Sequence, residues 1–530
     1  MSGPTIEPSD VVARDDAHLR SLGIKPELRR RLGLLSNFAV AFSYISVSTG
    51  TYTLIALGLG VGGPAFFWSW PIVVLGQTFV ALNFAELASH FPVAGSIYQW
   101  SKRLSHKTLG WFTGWFYFWA GVLTVISVAA TVPLVLSSIF GFTLSDPSPI
   151  PAFNNLVFWA LVTLITSTLI NAFGIRLLSL INNVGVGAEI LGMVVFAIIL
   201  LIVGRHQDLS ILTTTAGVET PETGGYLPVF AVAMFMSLFV VYGFDTAGTF
   251  GEETVDASRQ APRGILAAIW ISGVIGAIFL LAVILATKDF APVFAGKDLA
   301  PIGTAIKDGL GETWGSVYLW VILIAVYVCT TAIQGATARL MFSMGRDGRM
   351  PLGRLWGHVS PGFKTPTNAA MAVGVLAAVP IFVTDSPGVL ATGATGLIYL
   401  SYLMCNVGVF VARRRGWPHQ GAWFKLGSWG MIINIVAILY GGIMTINFAL
   451  WNAPNLFGNF GSALRNNSNP SLTLVTSGGK PISWLPDIPF FEGSVLLILI
   501  VGVVYYFATG QGGKVDQVEA DLATGEAVIA

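Results

Sequence analysis

Twelve apolar stretches run along the chain, each near the roughly 20 residues that a membrane helix needs, with polar connectors between them. They fall near 36–58, 64–88, 109–140, 153–173, 178–203, 228–251, 264–287, 314–340, 367–384, 388–412, 427–450 and 490–508. The pattern predicts an all-α integral membrane protein. The third stretch is long enough for a strongly tilted helix, and Pro133 inside it is expected to kink it.

Two stretches interrupt their own pattern. The run FVVYGFDTAGTFGEETVDASRQAPRG (239–264) starts as apolar as any span, yet contains Gly243, Asp245, Thr246, Gly248 and Thr249. A charge at membrane depth costs at least about 2.5 kcal/mol, so Asp245 must face something polar, wet or functional. The glycines let the backbone leave the helix, and freed peptide groups are tolerated there only inside protein or beside a cavity. The first stretch carries Ser46-Val47-Ser48-Thr49-Gly50-Thr51-Tyr52, small hydroxyl residues around a glycine. Its Ser48 to Tyr52 parallels Thr246 to Phe250 in the sixth. Interrupted segments at corresponding places in two halves point to a transporter binding site.

These two stretches each open a set of five spans, 36–203 and 228–412, and an odd number per set forces opposite topologies. A tail at 1–35 precedes them. Two further spans lie within 427–508, separated by a long connector at 451–489, and a tail at 509–530 follows.

Composition sharpens the class. The chain is 54% apolar and 10% charged, where soluble domains carry about 25% charged residues. A net charge of +1 gives no reason to expect nucleic acid. With the N-terminus inside, the inner connectors hold 22 Lys and Arg against 6 outside, which puts both termini in the cytoplasm. Residues 1–35 contain no apolar core of a signal peptide. Cys329 and Cys405 fall in apolar spans and read as small core residues. Asn466-Asn467-Ser468 is a glycosylation sequon by chance unless the host is a eukaryote. Gly58 to Gly63 formally fits GxGxxG, but with no strand before it no dinucleotide site is expected. No Walker, zinc or serine-nucleophile motif stands in usable context, so neither an enzyme nor an ATP-driven pump is expected.

Four motifs then carry a resemblance: NFAELASHFPVAGSIYQWSKRL (83–104), NAFGIRLLSLINNVG (171–185), FDTAGTFGEETVDASRQAPRGI (244–265) and ARLMFSMGRDGRMP (338–351). In this order they resemble the amino acid–polyamine–organocation transporters, particularly the amino acid/choline branch that includes GABA permeases. The resemblance covers roughly residues 30–450. It implies a LeuT-like five-plus-five inverted repeat with discontinuous helices one and six and two extra C-terminal helices.

It also implies where a solute sits. The solute carboxylate would meet backbone N–H groups at the helix-one break, at Ser48, Thr49 and Gly50, beside Ser46. A half-helix N-terminus offers partial positive charge and unpaired donors. The amine would face carbonyls around Phe239 to Tyr242, next to Gly243. Phe239 matches an aromatic gate of related proteins, and Tyr242 and Phe244 offer cation–π contact.

Asp245 is the first candidate for gating or proton coupling; the alternative is a carboxylate that only caps backbone donors. Glu189 follows as a proton carrier, or else as a residue snorkelling toward the cytoplasm. Some relatives carry a lysine in that helix, and this chain does not. Thr330 and Thr331 resemble a hydroxyl pair that helps hold Na⁺ in more distant relatives; the alternative is ordinary bonding back to their own helix. Glu86, His90, Glu252, Glu253, Arg259, Arg263, Arg339 and Arg346 are candidates for a cytoplasmic ion-pair gate, or for a solvated interface.

The sequence thus predicts a secondary transporter of the plasma membrane, importing an amino acid or GABA-like zwitterion with protons, Na⁺ being the other option. The expected partners are a small-molecule solute and the bilayer, with no cofactor; a homodimer stays open. The alternatives are a choline or polyamine transporter of the same fold, or a non-transporting amino acid sensor.

Overall fold

Nine helices among the described residues are long and apolar enough to cross a membrane, and three shorter apolar ones span Tyr226–Val240, Thr367–Phe382 and Gly493–Ala508. The computed structural model describes residues 8–142, 144, 155–173, 175–219, 225–383, 386–418, 422–450 and 490–513. The connector at 451–489 with its sequon, and residues 514–530 of the expected C-terminal tail, lie outside the described residues.

The breaks follow the local chemistry. The first apolar stretch divides into α2 (Leu34–Ile45) and α3 (Val47–Gly62), and Ser46 alone separates them at φ 30° and ψ 86°. A left-handed non-glycine residue is strained by about 1–3 kcal/mol and persists only where its surroundings hold it. The third stretch divides into α6 (Lys107–Ala129) and α7 (Val132–Phe140), and Pro133 opens the second piece, where its missing N–H costs no helical bond. The sixth becomes α10 (Tyr226–Ala233), α11 (Phe235–Val240), an unwound stretch, and the single turn α12 (Thr246–Thr249).

Around these run α4 (Ser69–His90), α5 (Ser96–Leu104), α8 (Leu156–Phe173), α9 (Ile175–Val203) and α13 (Ala257–Ala286). After α14 (Ala291–Phe294), the long α15 (Pro301–Arg346) turns at Gly311, whose φ is 75°. The piece after that turn begins close to the expected 314, and residues 301–310 form a separate helical segment before it. The chain ends its described course in α16 (Gly353–Trp356), α17 (Thr367–Ala378), α18 (Pro387–Arg414), α19 (Gly430–Leu450) and α20 (Phe490–Ala508).

The interrupted pair lies at the centre. Helix α2 packs on α9, α13 and α15, while α3 packs on α11, α15 and α18. Exposed leucine, isoleucine and valine side chains cover the outer faces of α9 and α19, as expected where the solvent is lipid.

An unexpected helix lies on the N-terminal face: α1 (Pro8–Ser21). Its Leu19, with Ile24 beyond it, packs on Val93 between α4 and α5. Asp15 accepts the Asp256 N–H at 2.7 Å, and Arg14 pairs with Asp256 at 2.6 Å.

Candidate functional site

Ser46 and Gly243 bring the two breaks together. In a continuous helix the Gly243 N–H would close on the Phe239 carbonyl four residues earlier. Instead it donates to the Tyr402 hydroxyl at 3.0 Å, which releases that carbonyl. Gly243 sits at φ 89°, and a Cβ there would lie 2.0 Å from the Tyr44 ring of α2. Only glycine fits the turn and the close approach. On the other side, a Cβ at Gly50 would meet Val240 Cγ2 at 2.8 Å. Asn37 of α2 reaches the Ala247 carbonyl at 2.8 Å and Thr254 at 2.9 Å.

At the helix-one break the Gly50 N–H is already used, bonding the Ser46 carbonyl at 3.0 Å. That corrects its expected part as a donor: Gly50 serves close packing, and the donors are earlier residues. The Ser46 hydroxyl lies 2.6 Å from that of Thr49. Ser46 and Ser48 both donate to one carboxylate oxygen of Glu189, at 2.8 and 3.0 Å, and the Ser48 backbone N–H points at the same carboxylate. Glu189 is 1% exposed, so it lies inside the bundle rather than snorkelling. Its second oxygen, Oε2, is buried without a hydrogen-bond partner among the described residues.

Asp245 lies in the unwound stretch of helix six and is wholly buried. Tyr402 of α18 donates to its Oδ1, while Tyr117 of α6 and Ser96 of α5 donate to its Oδ2 at 2.7 and 2.9 Å. No side-chain cation pairs with it among the described residues. The three hydroxyls occupy both of its oxygens by hydrogen bonding alone.

The expected aromatic residues separate into two groups. Phe239 and Tyr242 meet edge to face at 5.8 Å, and Tyr242 meets Tyr44 at 6.1 Å, so these line the junction of the breaks. Phe244 turns elsewhere, packing on Phe84 of α4 and Tyr402. Thr330 and Thr331 are buried and donate back to the Val326 and Tyr327 carbonyls at 2.9 and 2.8 Å, as membrane-helix threonines ordinarily do. Neighbouring Cys329 instead reaches the Tyr44 carbonyl at 3.5 Å.

The N-terminal face is tied by charge. Glu253 pairs with Arg339, Glu252 with Arg346 at 2.9 Å, and Glu86 with Arg413. Arg339 also stacks over Phe250 at 3.8 Å. Three of the expected gate residues form no ion pair among the described residues: Arg259, His90, which packs on Trp417, and Arg263, which lies over the Trp423 ring; Arg413 takes Glu86. Arg30 adds a strap, donating to the Gly251 and Thr254 carbonyls and to Asp16. Sequence reasoning missed Ser96, Tyr117, Tyr402 and Tyr44, each an ordinary residue in its own stretch.

The amino acid permease family model matches residues 32–476. The amino-acid permease BAT1 of Arabidopsis thaliana is 29% identical over 475 residues, covering 83% of this chain and 89% of its own. The choline transporter of Saccharomyces cerevisiae is 26% identical over 427 residues, covering 78% and 74%. Among solved structures, MhsT in complex with L-phenylalanine superposes with a TM-score of 0.57 at 14% identity, covering 80% of this chain and 99% of that one. That likeness concerns the fold.

Proposed function

The chain belongs to the amino acid permease family, a family of membrane transporters and not of enzymes, and from that premise we propose that it imports a zwitterionic amino acid or GABA-like solute together with protons. The observation that carries this reading is the junction of two broken helices. It offers backbone donors at the start of α3 and a released carbonyl at Phe239, opposite polarities suited to the two ends of a zwitterion. We place the protein in the plasma membrane with both termini cytoplasmic, on the asymmetry of Lys and Arg. The solute then moves by alternating access, and the ion pairs of the N-terminal face separate as that side opens.

A second reading has one observation in its favour. Glu189 already places a carboxylate against the helix-one hydroxyls, which suits a cation such as choline or a polyamine.

Uptake into proteoliposomes of labelled GABA, L-alanine, choline and putrescine separates the two. The expected result is concentrative uptake of GABA or L-alanine driven by an inward proton gradient without sodium. Accumulation of choline or putrescine alone would establish the second reading. A sodium requirement would remove proton coupling, and binding without accumulation would mark a sensor.

A further inference from the structure

The start of α3 is where the proposed solute would place its carboxylate, yet a side chain of the protein is already there. We propose that Glu189 holds the position of the solute carboxylate, and that the solute enters this position only when Glu189 takes up a proton. The proposal rests on the zwitterion reading and adds to it a direct competition between two carboxylates for one set of donors.

Three observations support the competition. The Ser46 hydroxyl, the Ser48 hydroxyl and the Ser48 N–H converge on Glu189. These are donors that an incoming carboxylate would need. Two ionised carboxylates on one set of donors repel, and such pairs resolve the conflict by sharing a proton. Second, Oε2 has no partner among the described residues although it is buried. A buried oxygen left unsatisfied in a native fold calls for an explanation, because it costs about 1–3 kcal/mol. A residue whose task is only to staple α9 to α2 and α3 would use both oxygens.

Third, no charged side chain among the described residues fixes the charge of Glu189. The titratable groups facing it are Cys329 and Tyr318, both on α15, and each is neutral at physiological pH. Tyr44 of α2 faces Tyr242, Asp245 and Cys329 instead, and Tyr52 of α3 bonds Ser138. Helix α8 contains no charged residue, and the charges of α13, Arg259 and Arg263, lie in its first turns. No lysine or arginine among the described residues neutralises Glu189 in place of a proton.

The step balances simply. A proton from the outer side joins the Glu189 carboxylate, whose oxygens release the two serine hydroxyls and the amide to the solute. Protonated Glu189 becomes a donor itself and can bond the solute carboxylate that replaced it. On the inner side the solute leaves, the proton follows, and Glu189 returns to the serines. One proton crosses with each solute.

The test is equilibrium binding of labelled GABA and L-alanine to the purified full-length protein, between pH 5 and pH 8 and without any gradient. Wild type should lose affinity for the zwitterion by about tenfold per pH unit above the titration of Glu189, the slope of one linked proton. Binding should also take up one proton per solute, read with a pH dye in weak buffer, a measurement that needs no variant. Glu189→Gln should bind at all pH values with the affinity wild type shows in acid, and should lose proton-driven accumulation while keeping exchange. Zwitterion binding with no pH slope and no proton uptake in wild type would overturn the proposal alone, as would a slope that survives in Glu189→Gln. Failure of any zwitterion to bind wild type at any pH, with choline bound instead, would overturn the reading beneath it.

Discussion

Asp245 and Glu189 are both carboxylates buried among apolar helices, and they differ in how many donors reach them. Asp245 receives three hydroxyls from three helices and uses both oxygens. Glu189 receives its donors on one side and leaves Oε2 with none among the described residues. Full satisfaction makes a rigid staple, because each bond to a charged group is worth about 1.5–3 kcal/mol and all three must break together for Asp245 to move. Half satisfaction leaves a group that can trade partners at small cost. Under the proposal above, Asp245 holds the unwound stretch of helix six and Glu189 exchanges with solute and proton.

The largest effect should come from deleting each carboxylate in turn. Asp245→Leu strands the Tyr117 and Tyr402 hydroxyls, which rings hold in place, at about 1–3 kcal/mol each. Glu189→Leu strands the Ser48 N–H and two serine hydroxyls, but the hydroxyls can rotate, and Ser46 already has Thr49 within 2.6 Å. Thermal unfolding in detergent should therefore show Asp245→Leu melting far below wild type and Glu189→Leu close to it. Equal melting points, or the reverse order, would erase the distinction.

Tyr402→Phe should act more mildly and more selectively. It removes one donor from Asp245 and the acceptor of the Gly243 N–H, a loss of about 1–3 kcal/mol concentrated at the helix-six break. Maximal uptake should fall several-fold while the dependence of uptake on the proton gradient stays as in wild type. If the proton dependence disappears instead, Asp245 is the carrier, and the roles of the two carboxylates are exchanged.

Much of this arrangement was legible in the chain, because its causes are local. Glycines, clustered hydroxyls and an aspartate inside apolar runs disclosed both interruptions, and Pro133 marked the break between α6 and α7. Asp245 stood out for the same reason: a charge in an apolar run is conspicuous wherever its partners lie. What stayed hidden depends on packing between distant segments. Ser46 and Glu189 are 143 residues apart, and Tyr402 is 157 from Asp245. A tyrosine in an apolar helix looks the same whether or not its hydroxyl caps a buried carboxylate. The docking of α1 was hidden too, since a short polar helix has no reason to form until the N-terminal face gives its few apolar side chains a surface.

That face offers a third carboxylate, Asp15, and with it the smallest effect. Asp15 bonds the Asp256 N–H and lies near Arg14 and Arg30. Burial against the face outweighs these favourable neighbours and pushes its carboxyl above the usual range. The sign follows: the neutral form is the one favoured by docking. Docking of α1 is therefore strongest below the ordinary Asp range and weakens as pH rises through the raised value. A spin label at the exposed Ala17 should be more mobile at pH 7 than at pH 4.5, and Asp15→Asn should reduce that difference. If Asp15→Asn changes nothing, the carboxylate is as settled in its bonds as Asp245, and half-satisfied behaviour is confined to Glu189.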